Sequence, residues 1–223
     1  MNSALRPPHS AIGLTLVCFA LKEEAAPFQK LVARRNDVFV LITGIGRANS
    51  ERAVREFLLV GKPRRIFTCG FAGGLDPKLQ TGDVIFATPD TALAEALAKS
   101  GARPTSFTSV DRIATTAFEK QLLRANTQAD AVEMESKAIH AICWEQEIPC
   151  ATVRVISDTA HEDLPLDFNQ LSNPDQSLNF GKLAIAIAKS PGKIPALLQL
   201  QKQTSFAASQ LAAKLVQLLN NVT

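Results

Sequence analysis

A chain of 223 residues with 46% hydrophobic and 20% charged residues can form one domain with a full core, and its composition is ordinary for a soluble globular protein. Its net charge of +3 is a slight excess rather than a clustered cationic footprint, which argues against a nucleic-acid partner. No apolar run approaches the roughly 18 residues that cross a bilayer, so no membrane span is expected and a cytoplasmic location is the default.

Residues 1–10, with Pro7-Pro8 and only one cation, Arg6, read as a flexible tail ahead of a single domain over 11–223. The run from Ile12 to Leu21 reads as a first core strand and not a signal peptide, because it leads into Lys22-Glu23-Glu24 without a small-residue cleavage pattern. Strands are expected near 12–19, 38–43, 65–69, 83–87, 104–109, 128–132 and 150–156. Helices are expected near 23–34, 47–60, 89–100, 115–125, 134–146, 178–189 and 204–220. This alternation of β-branched runs with helical patterns is the signature of a wound α/β sheet. Thr43-Gly44-Ile45-Gly46 should close a strand and open a helix, and Cys69-Gly70-Phe71-Ala72-Gly73-Gly74-Leu75 should do the same. From Asp163 to Asp175 a long ordered loop is expected over the sheet edge. The segment from Phe206 to Leu219 should be a helix packed on the sheet.

Three strands release acidic residues at their carboxyl ends, where open α/β sheets bind ligands. They lead to Glu23-Glu24, to Glu133-Met134-Glu135 and to Ser157-Asp158. Glu133 is expected to be structural, pairing with Arg154. Cys18, Cys69, Cys143 and Cys150 lack the short paired spacing of a zinc site and read as buried thiols in a reducing compartment. His161 reads as a surface loop residue, and His9 and His140 have no catalytic context. No metal is implied. The basic groups Arg34-Arg35 and Lys62-Pro63-Arg64-Arg65 precede expected strands and read as solvated loop ends.

Together, Glu24, Thr43-Gly44-Ile45-Gly46, Gly70 to Leu75, Gly82-Asp83-Val84, Val132-Glu133-Met134-Glu135 and Ile156-Ser157-Asp158 resemble, in order, the nucleoside phosphorylase and nucleosidase superfamily, which includes purine and uridine phosphorylases. Within it the chain is most similar to methylthioadenosine/S-adenosylhomocysteine nucleosidases and to the shorter hopanoid-associated phosphorylases. The second likeness rests on Gly73 to Pro77, on Val110 to Thr115, on Asp163 to Asn169 with Pro195-Ala196-Leu197-Leu198, and on a missing insertion after the Gly-Asp-Val strand. The resemblance implies a three-layer α/β sandwich, with a mixed, partly closed β-sheet flanked by helices, in a homodimer or higher homo-oligomer.

The activity it implies is cleavage of the N-glycosidic bond of an adenine nucleoside with a modified 5′ group, such as an adenosylhopane, within hopanoid biosynthesis. Cleavage builds positive charge on the sugar and negative charge on the departing base, so it needs an acid, a ribose acceptor and a positioned nucleophile. By resemblance Glu24 activates water, Asp158 protonates the purine at N7, Glu135 holds ribose hydroxyls and Met134 lies on the sugar face. Phe71, Ala72, Gly73, Ile113 and Ser157 complete the substrate pocket. For Asp158 to donate at neutral pH, burial beside other carboxylates is expected to raise its pKa.

Two departures bear on the nucleophile and the base. Thr68 and Phe71 stand where phosphorolytic relatives carry a phosphate-binding arginine and serine, which favours water, or a phosphate site built from Arg47 or Arg112. Ile113 and Ala114 stand where an aromatic usually stacks on adenine. No cofactor is expected beyond phosphate as a co-substrate. The rival readings are a phosphorolytic purine nucleoside phosphorylase and a non-catalytic nucleoside-binding regulatory module.

Overall fold

The computed structural model describes residues 13–171, 173 and 179–221, so the tail expected over 1–10 and part of the Asp163–Asp175 loop lie outside the described residues. Among the described residues eight strands, β1 (Thr15–Phe19), β2 (Val38–Ile42), β3 (Arg65–Gly74), β4 (Val84–Ala87), β5 (Arg103–Pro104), β6 (Phe107–Ser109), β7 (Ala131–Glu133) and β8 (Cys150–Asp158), form one sheet. The helices are α1 (Lys22–Leu31), α2 (Arg47–Leu58), α3 (Thr91–Lys99), α4 (Ala117–Thr127), α5 (Ser136–Glu145), α6 (Phe180–Lys189) and α7 (Ile194–Asn221), with a 3₁₀ turn at Pro191–Lys193 before α7.

The sheet runs β2-β1-β3-β8-β4-β5, and β7 and β6 branch from the end of β3. β2, β1, β3 and β8 are mutually parallel, whereas β4 is antiparallel to β8 and β7 antiparallel to β3. Central strands buried on both faces need cover on both, and two helical layers supply it. Phe28, Leu93, Leu97, Leu211, Leu215 and Leu218 bring α1, α3 and α7 onto one face. Val54, Phe57, Ile139 and Ile142 bring α2 and α5 onto the other. The observed architecture is the three-layer sandwich with a mixed sheet.

Three expectations are corrected. Gly70 to Gly74 does not turn into a helix: β3 continues to Gly74, because β8 pairs alongside it as far as Gly73↔Asp158 and β7 adds a partner at Gly73 and Gly74. The strand expected at 104–109 is two strands with different partners, β5 on β4 and β6 on β7. The last helix begins at Ile194, ten residues before the expected start, since the solvated half of a long helix shows little apolar periodicity.

Candidate active site

Arg154 on β8 is the largest fully buried side chain, 1% exposed. A guanidinium cannot be deprotonated in a protein, so the core around it must supply anions. Its Nη2 donates to Glu133 at 2.6 Å and to Glu135 at 3.0 Å, bearing out the expected Glu133–Arg154 pair. Further contacts reach Thr68 Oγ1 and the Cys69 carbonyl, each at 3.3 Å.

Glu133 ends β7 and organises the start of α5. Its Oε2 accepts from the Glu135 and Ser136 backbone N–H groups at 2.9 and 2.7 Å, and Oε1 accepts from the hydroxyls of Ser136 and Ser109. Burial pushes the Glu133 pKa up, but Arg154 and these donors outweigh it and hold the group below the ordinary glutamate range. Glu133 is therefore structural, the anionic cap of α5.

Glu135, 6% exposed, accepts from the Gly46 N–H at 2.8 Å through Oε1 and from Arg154 through Oε2. Gly46, with φ +83°, begins α2, so the Gly44-Gly46 turn delivers a backbone donor to this carboxylate. Burial raises the Glu135 pKa, Arg154 opposes the rise, and Glu133 adds to it.

Glu24, in the first turn of α1, is 4% exposed. Its Oε1 accepts from the Phe71 N–H at 2.8 Å and its Oε2 from the Leu21 N–H at 2.9 Å. Burial lifts its pKa to about 7 against the pull of the Phe71 N–H and Arg154, and the nearby Glu135 charge adds to the rise. Such a value suits a general base at neutral pH. Gly70 makes the close approach feasible: at φ +143°, a Cβ there would sit 2.8 Å from both Glu24 Oε1 and Arg154 Nη1. Phe71 is partly buried, packs its ring against the core that α1, α3 and α7 cover, and donates its N–H to Glu24.

Asp158, 8% exposed, lies in register with Gly73, three residues along β3 from Gly70, or roughly 10 Å of strand. Its surroundings differ from the expected carboxylates. Lys120 of α4, fully buried, places Nζ 2.5 Å from Asp158 Oδ2, and the Ser157 hydroxyl donates to Oδ1 at 2.6 Å. Lys120 also donates to the Thr159 and Glu162 carbonyls at 2.7 and 2.8 Å, fastening the loop after β8 to α4. Sequence reasoning missed Lys120. In the fold α4 is inverted, with Phe118 and Leu122 outward, 73% and 51% exposed, and the lysine inward, which only packing reveals.

The remaining expected residues divide. Met134 and Arg47 line one small cavity with Ser109, Asp111 and Lys137, next to Glu135. Ile113 is clamped to the loop following Asp158 by two bonds with Asn169, from its N–H at 2.8 Å and to its carbonyl at 2.9 Å. Ala72 is buried and Gly73 is backed by Val132 and Asp158. Arg112 is not brought to the carboxylates: it is largely exposed and paired with Glu119 at 3.0 Å. A larger concavity between α3 and β4–β5, lined by Phe86, Thr88, Ala94, Glu95, Pro104 and Thr105 among others, includes none of Glu24, Glu135 and Asp158. Among the described residues no cluster suited to a metal ion occurs, and no helix is long and apolar enough to cross a membrane.

Comparison with known proteins converges on one family. The profile of the phosphorylase superfamily matches two overlapping stretches, residues 26–104 and 91–189. A 5′-methylthioadenosine/S-adenosylhomocysteine nucleosidase of Glaesserella parasuis is 26% identical over 169 residues, covering 60% of this chain and 73% of the relative. One from Haemophilus ducreyi is 28% identical over 167 residues, covering 60% and 72%. The fold superposes on the Helicobacter pylori 5′-methylthioadenosine/S-adenosylhomocysteine nucleosidase with a TM-score of 0.72 at 17% identity, covering 95% of this chain and 99% of the other. It also superposes on the futalosine hydrolase of the same organism, with a TM-score of 0.70 at 16% identity and 94% and 99% coverage. With the profile spanning most of the chain and the acidic strand ends gathered along β3, the protein belongs to the phosphorylase superfamily.

Proposed function

We infer that the protein is an enzyme that cleaves the N-glycosidic bond of an adenine nucleoside and releases adenine, with water as the nucleophile. The observation that carries this reading is Glu24: a buried carboxylate aimed by two backbone N–H groups, with a pKa of about 7, near the Glu135 charge and held by Phe71 of β3, two residues from the Gly73 that pairs with Asp158. Water attacks the anomeric carbon and gives its proton to Glu24. The C–N bond breaks, and the base leaves with a proton supplied at N7 by way of Asp158, whose carboxylate is positioned by Lys120 Nζ and the Ser157 hydroxyl. Glu135 keeps a second lone pair on each oxygen for ribose hydroxyls and offsets charge developing on the ring. General acid help is typically worth 10²–10⁴-fold.

The choice of adenine is supported by the names of the relatives, and the choice of water by Thr68 and Phe71. Phe71 offers no hydroxyl, and the Thr68 hydroxyl is engaged by Arg154, whose charge already faces two carboxylates. The finer reading is a nucleoside whose 5′ group is larger and more apolar than methylthio, of the adenosylhopane type. It is supported by the Gly73–Pro77, Val110–Thr115 and Asp163–Asn169 segments.

Chromatography of adenine released from methylthioadenosine, S-adenosylhomocysteine and a 5′-alkyl adenosine, with and without phosphate, tests both levels. Adenine release without phosphate, fastest with the alkyl compound, is expected. A strict phosphate requirement would overturn the assignment of water, and adenine binding without turnover on any substrate would favour the regulatory module.

A further inference from the structure

Large apolar side chains are exposed at several places among the described residues. Phe118 and Leu122 share α4 with Glu119, and Trp144 precedes Glu145 on α5, so acidic groups accompany them. The stretch from α6 through the first half of α7 differs. No residue from 181 to 206 is buried, and Ile185, Ile194, Leu198 and Phe206 are 57%, 42%, 53% and 52% exposed. The chain has no Asp or Glu after Asp175, while Lys189, Lys193 and Lys202 are all exposed in this stretch.

Ile194, Leu198 and Lys202 are spaced by four and share one face of α7. Among the described residues, the main neighbour of α6 is the 3₁₀ turn that joins it to α7, not the sheet or its covering helices. The result is a bent pair of helical segments, about 15 and 20 Å long, projecting apolar groups with a fringe of lysines.

A surface of this kind meets an anionic headgroup layer with its lysines and the underlying acyl region with its apolar groups. A second copy of the same segment would set lysines against lysines with no carboxylate to relieve them. We propose that residues 181–206 dock the protein on an anionic lipid bilayer, lying in its interface without crossing it. This rests on the segment alone and not on the identity of the nucleoside.

Each lysine near an anionic surface contributes about five-fold to partitioning. The full-length protein, sedimented with vesicles of phosphatidylcholine alone or mixed with phosphatidylglycerol, should bind the mixed vesicles at least ten-fold more tightly, and salt should weaken that binding. The triple variant K189E/K193E/K202E and the double variant I185S/L198S should each lose at least ten-fold, with circular dichroism confirming their fold. Equal or absent binding of the unaltered protein to both vesicle types overturns the proposal without recourse to variants. So does unchanged binding by the folded variants. Dimerisation that I185S/L198S abolishes, without vesicle binding, would assign the face to a second copy and also overturn it.

Discussion

Glu24 is held in a position where ionisation costs stability. Burial raises its pKa to about 7, so between pH about 4.5 and about 7 the folded state binds more protons than the unfolded one. Stability from this group is full below pH about 4.5 and is lost as pH rises through about 7, by on the order of 3 kcal/mol. In Glu24→Gln that slope should vanish, so its thermal midpoint should gain on that of the unaltered protein as pH rises from 5 to 8, while adenine release falls at least 100-fold. Parallel melting curves at every pH would contradict the assignment. Asp158→Asn should lower turnover by a similar factor. Lys120→Met leaves a buried aspartate without its cation, and the expected cost is about 3–5 kcal/mol in urea unfolding, together with slowed turnover. Glu24, Glu135 and Asp158 are legible in the sequence because each follows an apolar strand run. Lys120 is not, because a lysine on a helix ordinarily reads as solvated, and only packing reveals that it faces inward.

At the scale of elements, β3 decides the geometry. Its extension through Gly74 carries Gly70, Phe71 and Gly73 beyond the end of β1, with Glu24 and Arg154 close to Gly70 and Asp158 beside Gly73. A glycine-rich run reads as a turn in sequence, since glycine is weak in strands; here neighbouring strands on both sides override that preference. Gly70→Ala should cost about 2 kcal/mol or more in stability and disable the site, because its methyl meets two charged groups and its φ is positive. A variant of unaltered stability would show that Glu24 and Arg154 yield easily. The start of α5 depends on Glu133 in the same way. Its depressed pKa contributes stability present above the ordinary glutamate value and lost as pH falls through the lower folded value. Glu133→Gln should therefore flatten the acid limb of a stability curve, as read by circular dichroism between pH 2 and 5.

Across the whole molecule, the wound α/β class and most element positions follow from hydrophobic periodicity, because buried parallel strands and amphipathic helices alternate clearly. The branch of β6 and β7 from β3 and the early start of α7 depend on tertiary pairing and on solvated helix, which leave little pattern in composition. The layered fold brings residues as distant in sequence as Glu24, Gly46, Glu135 and Arg154 into contact, and a single reaction would use them together. The most direct test is the pH dependence of kcat/KM for adenine release in phosphate-free buffer. The rate should rise tenfold per pH unit below about 7 and level off above it, and this limb should be absent from the residual activity of Glu24→Gln. An ascending limb that persists in Glu24→Gln, or release that occurs only when phosphate is added, would contradict a water-activating Glu24.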